Sequence, residues 1–167
     1  MMKKALDIFI VLIICTLCFA SCAEKQDTSV LSREFEGEMW RRFDFLKSSY
    51  NVKKAPMVAD LVMEVDVTDV FPNIYPYHND DDGTFIIAMT ITNPDGSRRS
   101  REIKFHLKDK EGNFKSENVG GYYHFELPLM YDFRFNDKGD YIFEIENKYT
   151  KDPLYGIKRL NINCLKK

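Results

Sequence analysis

Seven segments of this chain alternate apolar and polar residues with a period of two, and that pattern leaves few folds open. Ala59, Leu61, Met63, Val65 and Val67 share one side, with Asp60, Glu64, Asp66 and Thr68 on the other and Val62 as the exception. The pattern recurs at Phe85, Ile87, Met89 and Ile91, then at Ile103, Phe105 and Leu107, and at Tyr123, Phe125 and Leu127. Further sets are Tyr131, Phe133 and Phe135, then Tyr141, Phe143 and Ile145, and finally Leu160, Ile162 and Cys164. Successive side chains of a strand point to opposite faces, so each set predicts a strand with one face in a core and one in solvent. Turn residues separate several of them: Asn93, Pro94, Asp95 and Gly96, then Asp109 to Gly112, then Asn136 to Gly139.

The expected fold is therefore all-β, an antiparallel two-sheet β-sandwich of seven or eight strands, Greek-key or jelly-roll-like. The eighth strand is expected within residues 35–47, where Phe35, Met39, Phe43 and Phe45 alternate, although Met39 or Trp40 with Phe43 and Leu46 would also suit a helical stretch. Asp137, Gly139 and Tyr141 have the spacing of a tyrosine corner, in which the Tyr hydroxyl returns to upstream backbone. A plain hairpin leading into a Tyr-bearing strand has the same spacing.

The N-terminus sets where this domain works. Lys3 and Lys4 precede the apolar run Ile8–Ala20, whose 13 residues fall short of the ~20 needed to cross a bilayer, so the segment reads as a secretory signal. Its end, Phe19, Ala20, Ser21 and Cys22, is similar to the cleavage box of bacterial lipoproteins, with Phe19 where Leu is usual. Cys22 is the expected lipid attachment site, the new first residue carrying acyl groups such as palmitate. An ordinary signal peptide cut near Ala20 and a retained anchor are the competing readings. The expected division is a signal over 1–21, a lipidated polar tether over 22–34 and a β-sandwich domain over 35–167, facing the periplasm or the outer surface.

Composition narrows the function. Of four cysteines, Cys15 and Cys18 lie in the signal and Cys22 is taken by lipid, which leaves Cys164 without a disulfide partner. Without residues 1–21 the chain has 22 basic and 25 acidic residues, a net charge of −3. That balance argues against nucleic acid as a partner, since such affinity rests on a cationic field. His106 and His124 fall on polar strand faces, and His78 begins a run, Asn79 to Gly83, that only partly fits a calcium loop because Met89 stands where the closing Glu is needed. There is no Gly-x-Ser-x-Gly elbow and no phosphate-binding Gly-rich loop, and Cys164 sits in the inward row of its strand. The expectation is a non-enzyme with no cofactor and no metal.

The segment from Val70 to Asn79 carries three aromatics, Phe71, Tyr75 and Tyr77, and two prolines. Prolines stiffen the backbone, and tyrosines offer contact area at low entropic cost. Such a loop folds down as a lid on the sandwich or stands as a binding patch. Tyr75, Tyr77, His78, Asn79 and Trp40 are the candidate residues for a partner or ligand.

In order along the chain, Trp40, the Tyr75-Pro-Tyr-His-Asn79 loop, Pro94 with Gly96, Leu107 with Asp109 and Gly112, Phe135 with Gly139 and Tyr141, and Leu154 with Gly156 and Ile157 form a set. Over about residues 36–163 this set resembles the gliding-motility lipoprotein GldH family of Bacteroidota. Asp69 and Val70 stand where the family has an Arg-bearing strand end, Lys148 and Tyr149 replace Met-Arg, and Asp80 to Asp82 are foreign to the pattern. The resemblance implies an envelope lipoprotein working with other gliding or secretion components, with no catalytic residues. A carbohydrate- or ligand-binding sandwich, using Tyr75, Tyr77 and Trp40, is the alternative.

Overall fold

Two antiparallel sheets enclose one core in the computed structural model, which describes residues 29–72 and 84–167. The strands are β1 Ser29–Glu34, β2 Met39–Trp40, β3 Leu46–Val52, β4 Met57–Val67, β5 Thr84–Thr92, β6 Arg98–His106, β7 Asn118–Val119, β8 Tyr122–Phe135, β9 Gly139–Asn147, β10 Leu154–Tyr155 and β11 Ile157–Lys166. One sheet has the order β1-β11-β4-β8-β7 and the other β3-β9-β5-β6, while β10 and β2 form a short ribbon at one end. Among the described strands, only β5–β6 and β7–β8 are sequence neighbours paired within a sheet. The other connections cross between layers, as in a jelly roll.

The alternation places the core. Ala59, Leu61, Met63, Val65 and Val67 of β4 are buried, and they face the equally buried Phe85, Ile87, Met89 and Ile91 of β5 and Tyr141, Phe143 and Ile145 of β9 from the opposite sheet. Phe135 joins the layers, packing edge-on to Tyr141 at 4.8 Å and tilted against Tyr50 of β3 at 5.7 Å. The Tyr141 hydroxyl returns to the backbone of Asp137, accepting from its N–H at 3.1 Å and donating to its carbonyl at 3.3 Å. That is the geometry of a tyrosine corner.

Three expectations are corrected. The polar tether does not extend to residue 34, because Ser29–Glu34 is β1, paired with β11. A register shift between Ser29 and Leu31 buries the adjacent Val30 and Leu31, a pattern that period two does not capture. Residues 35–47 are not one strand. Gly37 at φ 62° and Glu38 at φ 53° leave the β region, so the chain makes a 3₁₀ turn over Glu36–Glu38, the two residues of β2, another turn, and then β3. Phe43, expected inward, is 77% exposed. The fourth and fifth alternating sets are the single 14-residue strand β8, and Tyr131 within it is 69% exposed. Register shifts opposite Leu61 and a positive φ at Asp132, whose N–H donates to the Asp60 carboxylate at 2.8 Å, turn Tyr131 out of the inward row.

Candidate functional site

The stem of the segment 73–83 is built into one end of the sandwich. After β4 the chain turns at Thr68, whose carbonyl accepts the Phe71 N–H at 3.0 Å, and the Thr68 N–H donates to the Gly156 carbonyl at 2.9 Å. Gly156 in turn donates its N–H to the Glu38 carbonyl at 2.8 Å, which ties three distant segments together. A β-carbon on residue 156 would stand 2.3 Å from the Phe71 nitrogen and 2.6 Å from its Cα, and φ there is +75°. Only glycine meets both conditions.

Aromatic rings fill the space beneath the stem. Phe71 meets Phe85 edge-on at 6.0 Å, Phe85 meets Trp40 at 6.4 Å, and Trp40 lies 5.4 Å from Phe35. The Trp40 indole N–H donates to the Asp44 carbonyl at 2.7 Å, and the Asn147 amide donates to the Trp40 carbonyl at 3.3 Å. Trp40 is fully buried and offers no surface to a partner or ligand, which corrects the expectation drawn from sequence. A large indole with one polar atom is satisfied in a core once that atom finds a carbonyl.

Lys108 was not singled out by sequence. It is 6% exposed, with Nζ donating to the Phe71 carbonyl at 2.8 Å and lying 4.3 Å from the centre of the Phe114 ring. Burial pushes its pKa down, and the nearby Asp69 opposes that shift. On the return side of the loop, Thr84 is fully buried and its hydroxyl is 3.3 Å from Nδ1 of His106. Both ends of the segment therefore leave from the core. Tyr75, Tyr77, His78 and Asn79 lie outside the described residues, as does Cys22.

Exposed apolar side chains surround the same end: Phe43 and Phe45 between β2 and β3, Val70 in the stem, and Tyr155 opposite Met39. A shallow acidic depression of about 510 Å³, lined by Glu34, Glu36, Glu38 and Lys158, lies alongside. Elsewhere, His124 Nδ1 is 2.7 Å from Asp66, which also pairs with Arg159 at 2.7 Å, on the outer face of the larger sheet. Cys164 is buried and hydrogen-bonded to the Tyr50 hydroxyl, and burial pushes its thiol pKa up, the direction of an inert thiol. Among the described residues, no cluster of His, Cys, Asp or Glu could hold a metal ion.

The fold defines a β-sandwich module, with the stem of the segment 73–83 built into one end of it. The chain belongs to the GldH lipoprotein family, which matches residues 31–163. It is thereby a membrane-anchored lipoprotein of the cell envelope. No curated protein matches it in sequence. Among solved structures it is similar to an exo-β-1,3-galactanase from Phanerochaete chrysosporium with galactose, at 12% identity and a TM-score of 0.35 over 80% of this chain. The chain spans only 29% of that protein. It is also similar to a family 35 carbohydrate-binding module from Clostridium thermocellum, at 8% identity and a TM-score of 0.30, covering 79% of this chain and 97% of the module. Likeness at these scores carries no argument about function.

The motif residues gather at the two ends of the sandwich. Trp40, Leu107 and the Leu154, Gly156 and Ile157 set surround the loop stem, close to the turn in which the Asp109 carboxylate accepts the N–H groups of Glu111 at 3.1 Å and Asn113 at 2.8 Å. At the opposite end, a β-carbon on Gly139 would lie 3.1 Å from that of Pro94, so the Pro94 turn and the Tyr141 corner pack together.

Proposed function

We propose that this protein is a lipid-anchored, non-catalytic module of the cell envelope that acts through protein contacts made at its loop-stem end. Acylated Cys22 holds it to the membrane, and its partners are other envelope proteins, of gliding or secretion machinery. Nucleic acid is not among them.

The observation that carries this reading is the construction of the stem. Gly156, Lys108 and the edge-on Phe71–Phe85–Trp40 ring cluster hold the backbone at the roots of the segment bearing Tyr75, Tyr77, His78 and Asn79. Phe43, Val70 and Tyr155 add exposed apolar area around it. A rigid base below an aromatic loop lowers the entropy lost on binding. The carbohydrate reading loses one of its three aromatics, because Trp40 lies in the core.

Affinity capture of the native lipoprotein from its own envelope tests this directly. Tyr75→Ala with Tyr77→Ala is expected to lose the captured partner while the domain stays folded. Retention of the partner by the folded double variant would count against the loop.

A further inference from the structure

Tyr131 leaves the inward row of β8 at a bulge. Phe133 pairs with Ala59 and Met130 with Leu61, so Tyr131 and Asp132 together oppose the single residue Asp60. Asp132 has φ 51°, and Glu38 is the other non-glycine residue with a positive φ among the described residues. A left-handed backbone without glycine persists where its surroundings over-determine it. Here the Asp132 N–H donates to the Asp60 carboxylate at 2.8 Å, and Lys167 Nζ bridges Asp60, at 2.9 Å, and Asp132. Lys167 is itself held, its backbone N–H donating to the Val58 carbonyl at 3.1 Å. The outcome is a tyrosine, 69% exposed, kept out of the core beside a fixed trio of charges.

The bonds within the trio favour its charged forms. The Asp132 N–H and then Lys167 hold the Asp60 carboxyl below its ordinary value, while Asp132 and then Asp60 raise Lys167. On the other side of Asp60, β11 places Leu165 opposite it, 47% exposed. Val62, the next outward position of β4, is the residue that interrupts that strand's polar row. Three strands spaced about 4.8 Å apart make this strip roughly 10 Å wide. It is well removed from the loop stem. Tyr131 lies eight residues along β8 from Tyr123, which pairs with Val67 beside the stem, a distance of roughly 25 Å for a strand.

We propose that this strip is a saccharide-binding platform, with Tyr131 stacking on the C–H face of a neutral pyranose and Asp132, Asp60 and Lys167 hydrogen-bonding its hydroxyl groups. The negative face of an aromatic ring attracts the positively polarised C–H groups that line one side of such a sugar. Hydroxyls both donate and accept, so a single sugar can meet carboxylates and an ammonium group side by side. Other occupants fit less well. An apolar protein surface would desolvate an unbalanced trio, two carboxylates to one lysine. An anion would face the same imbalance, and a metal cation would find Lys167 already between the two carboxylates. The trio is bonded before any ligand arrives, which lowers the entropy lost in ordering it. Leu165 and Val62 offer apolar contact to an adjoining sugar unit.

The test uses the full chain purified in detergent from its own membranes. Calorimetry follows titration with cellohexaose, with chitohexaose, and with protease-treated polysaccharide recovered from the same envelope. Saturable binding to at least one of the three is expected. Tyr131→Ala should weaken it about ten-fold, the scale of one ring contact, while the unfolding midpoint stays that of the unaltered protein. Tyr131→Phe, which keeps the ring, should retain the affinity. Tyr75→Ala with Tyr77→Ala should also retain it, which separates this strip from the loop. Saturable binding to none of the three, an affinity unmoved by Tyr131→Ala, or a loss in the loop variant with none in Tyr131→Ala overturns the proposal.

Discussion

Gly156 touches the backbone of Phe71 across 85 residues of sequence, and a β-carbon at 156 would stand 2.3 Å from the Phe71 nitrogen. This contact holds the backbone at Phe71, just before the segment 73–83. Gly156→Ala combines an unfavourable φ of +75° with overlap against backbone that has no rotamer to escape into. The expected cost is about 2–4 kcal/mol, combining strain and overpacking. Chemical denaturation of the purified protein measures it, and a loss under about 0.5 kcal/mol, the range of an ordinary surface change, would show that the stem is not fixed in this way.

The core and loop aromatics should separate cleanly. Trp40→Ala opens a cavity under the stem and is expected to cost about 3–5 kcal/mol. Tyr75→Ala with Tyr77→Ala is expected to change stability by less than about 1 kcal/mol, as surface substitutions do. If the double variant instead loses as much stability as Trp40→Ala while keeping its partner, the loop is a lid on the core.

Acid should loosen the turn after β6. The Asn113 N–H, with that of Glu111, holds the Asp109 carboxyl below its ordinary value of 3.8. A carboxyl depressed in the folded state adds stability above its unfolded value, and that contribution is lost as pH falls through the folded value. Stability measured from neutral pH downward should therefore fall below about pH 4, and Asp109→Asn should flatten part of that fall. An unchanged acid profile in the variant would mean that this carboxyl does not contribute.

Cys22→Ser is expected to stop lipoprotein processing, which metabolic labelling with a fatty acid reads out. Label that still enters the variant would place the anchor elsewhere.

The strands β4, β5 and β9 were legible in the sequence because their inward rows, Ala59 to Val67, Phe85 to Ile91 and Tyr141 to Ile145, are apolar at every second position, even though Val62, Ile86, Ala88 and Ile142 interrupt the outward rows. β3 was not: Leu46-Lys-Ser-Ser-Tyr-Asn-Val52 buries its two ends fully, and polar side chains fill most of the middle. β1 hid behind its bulge, and Tyr131 broke its row because a backbone twist at Asp132 carries no mark in hydrophobic periodicity. Trp40 was read as a contact residue because aromatic rings suit a ligand-binding face, yet the Asp44 carbonyl satisfies its one polar atom in the core. The site was legible only in fragments. Gly156, Lys108 and Phe71 meet through tertiary contact, and no local pattern announces that they share a task.

The central claim is that the loop-stem end of an acylated sandwich meets a protein partner. Site-specific photo-crosslinking in the native envelope tests it most directly, with the crosslinker placed in turn at Val70, Tyr77 and Tyr155 around the stem and at Arg99 and Glu126 on the outer strand faces. The account predicts a discrete protein adduct from the three stem positions and none from the other two. Adducts from Arg99 or Glu126 with none from the stem, or no protein adduct from any position, would contradict it.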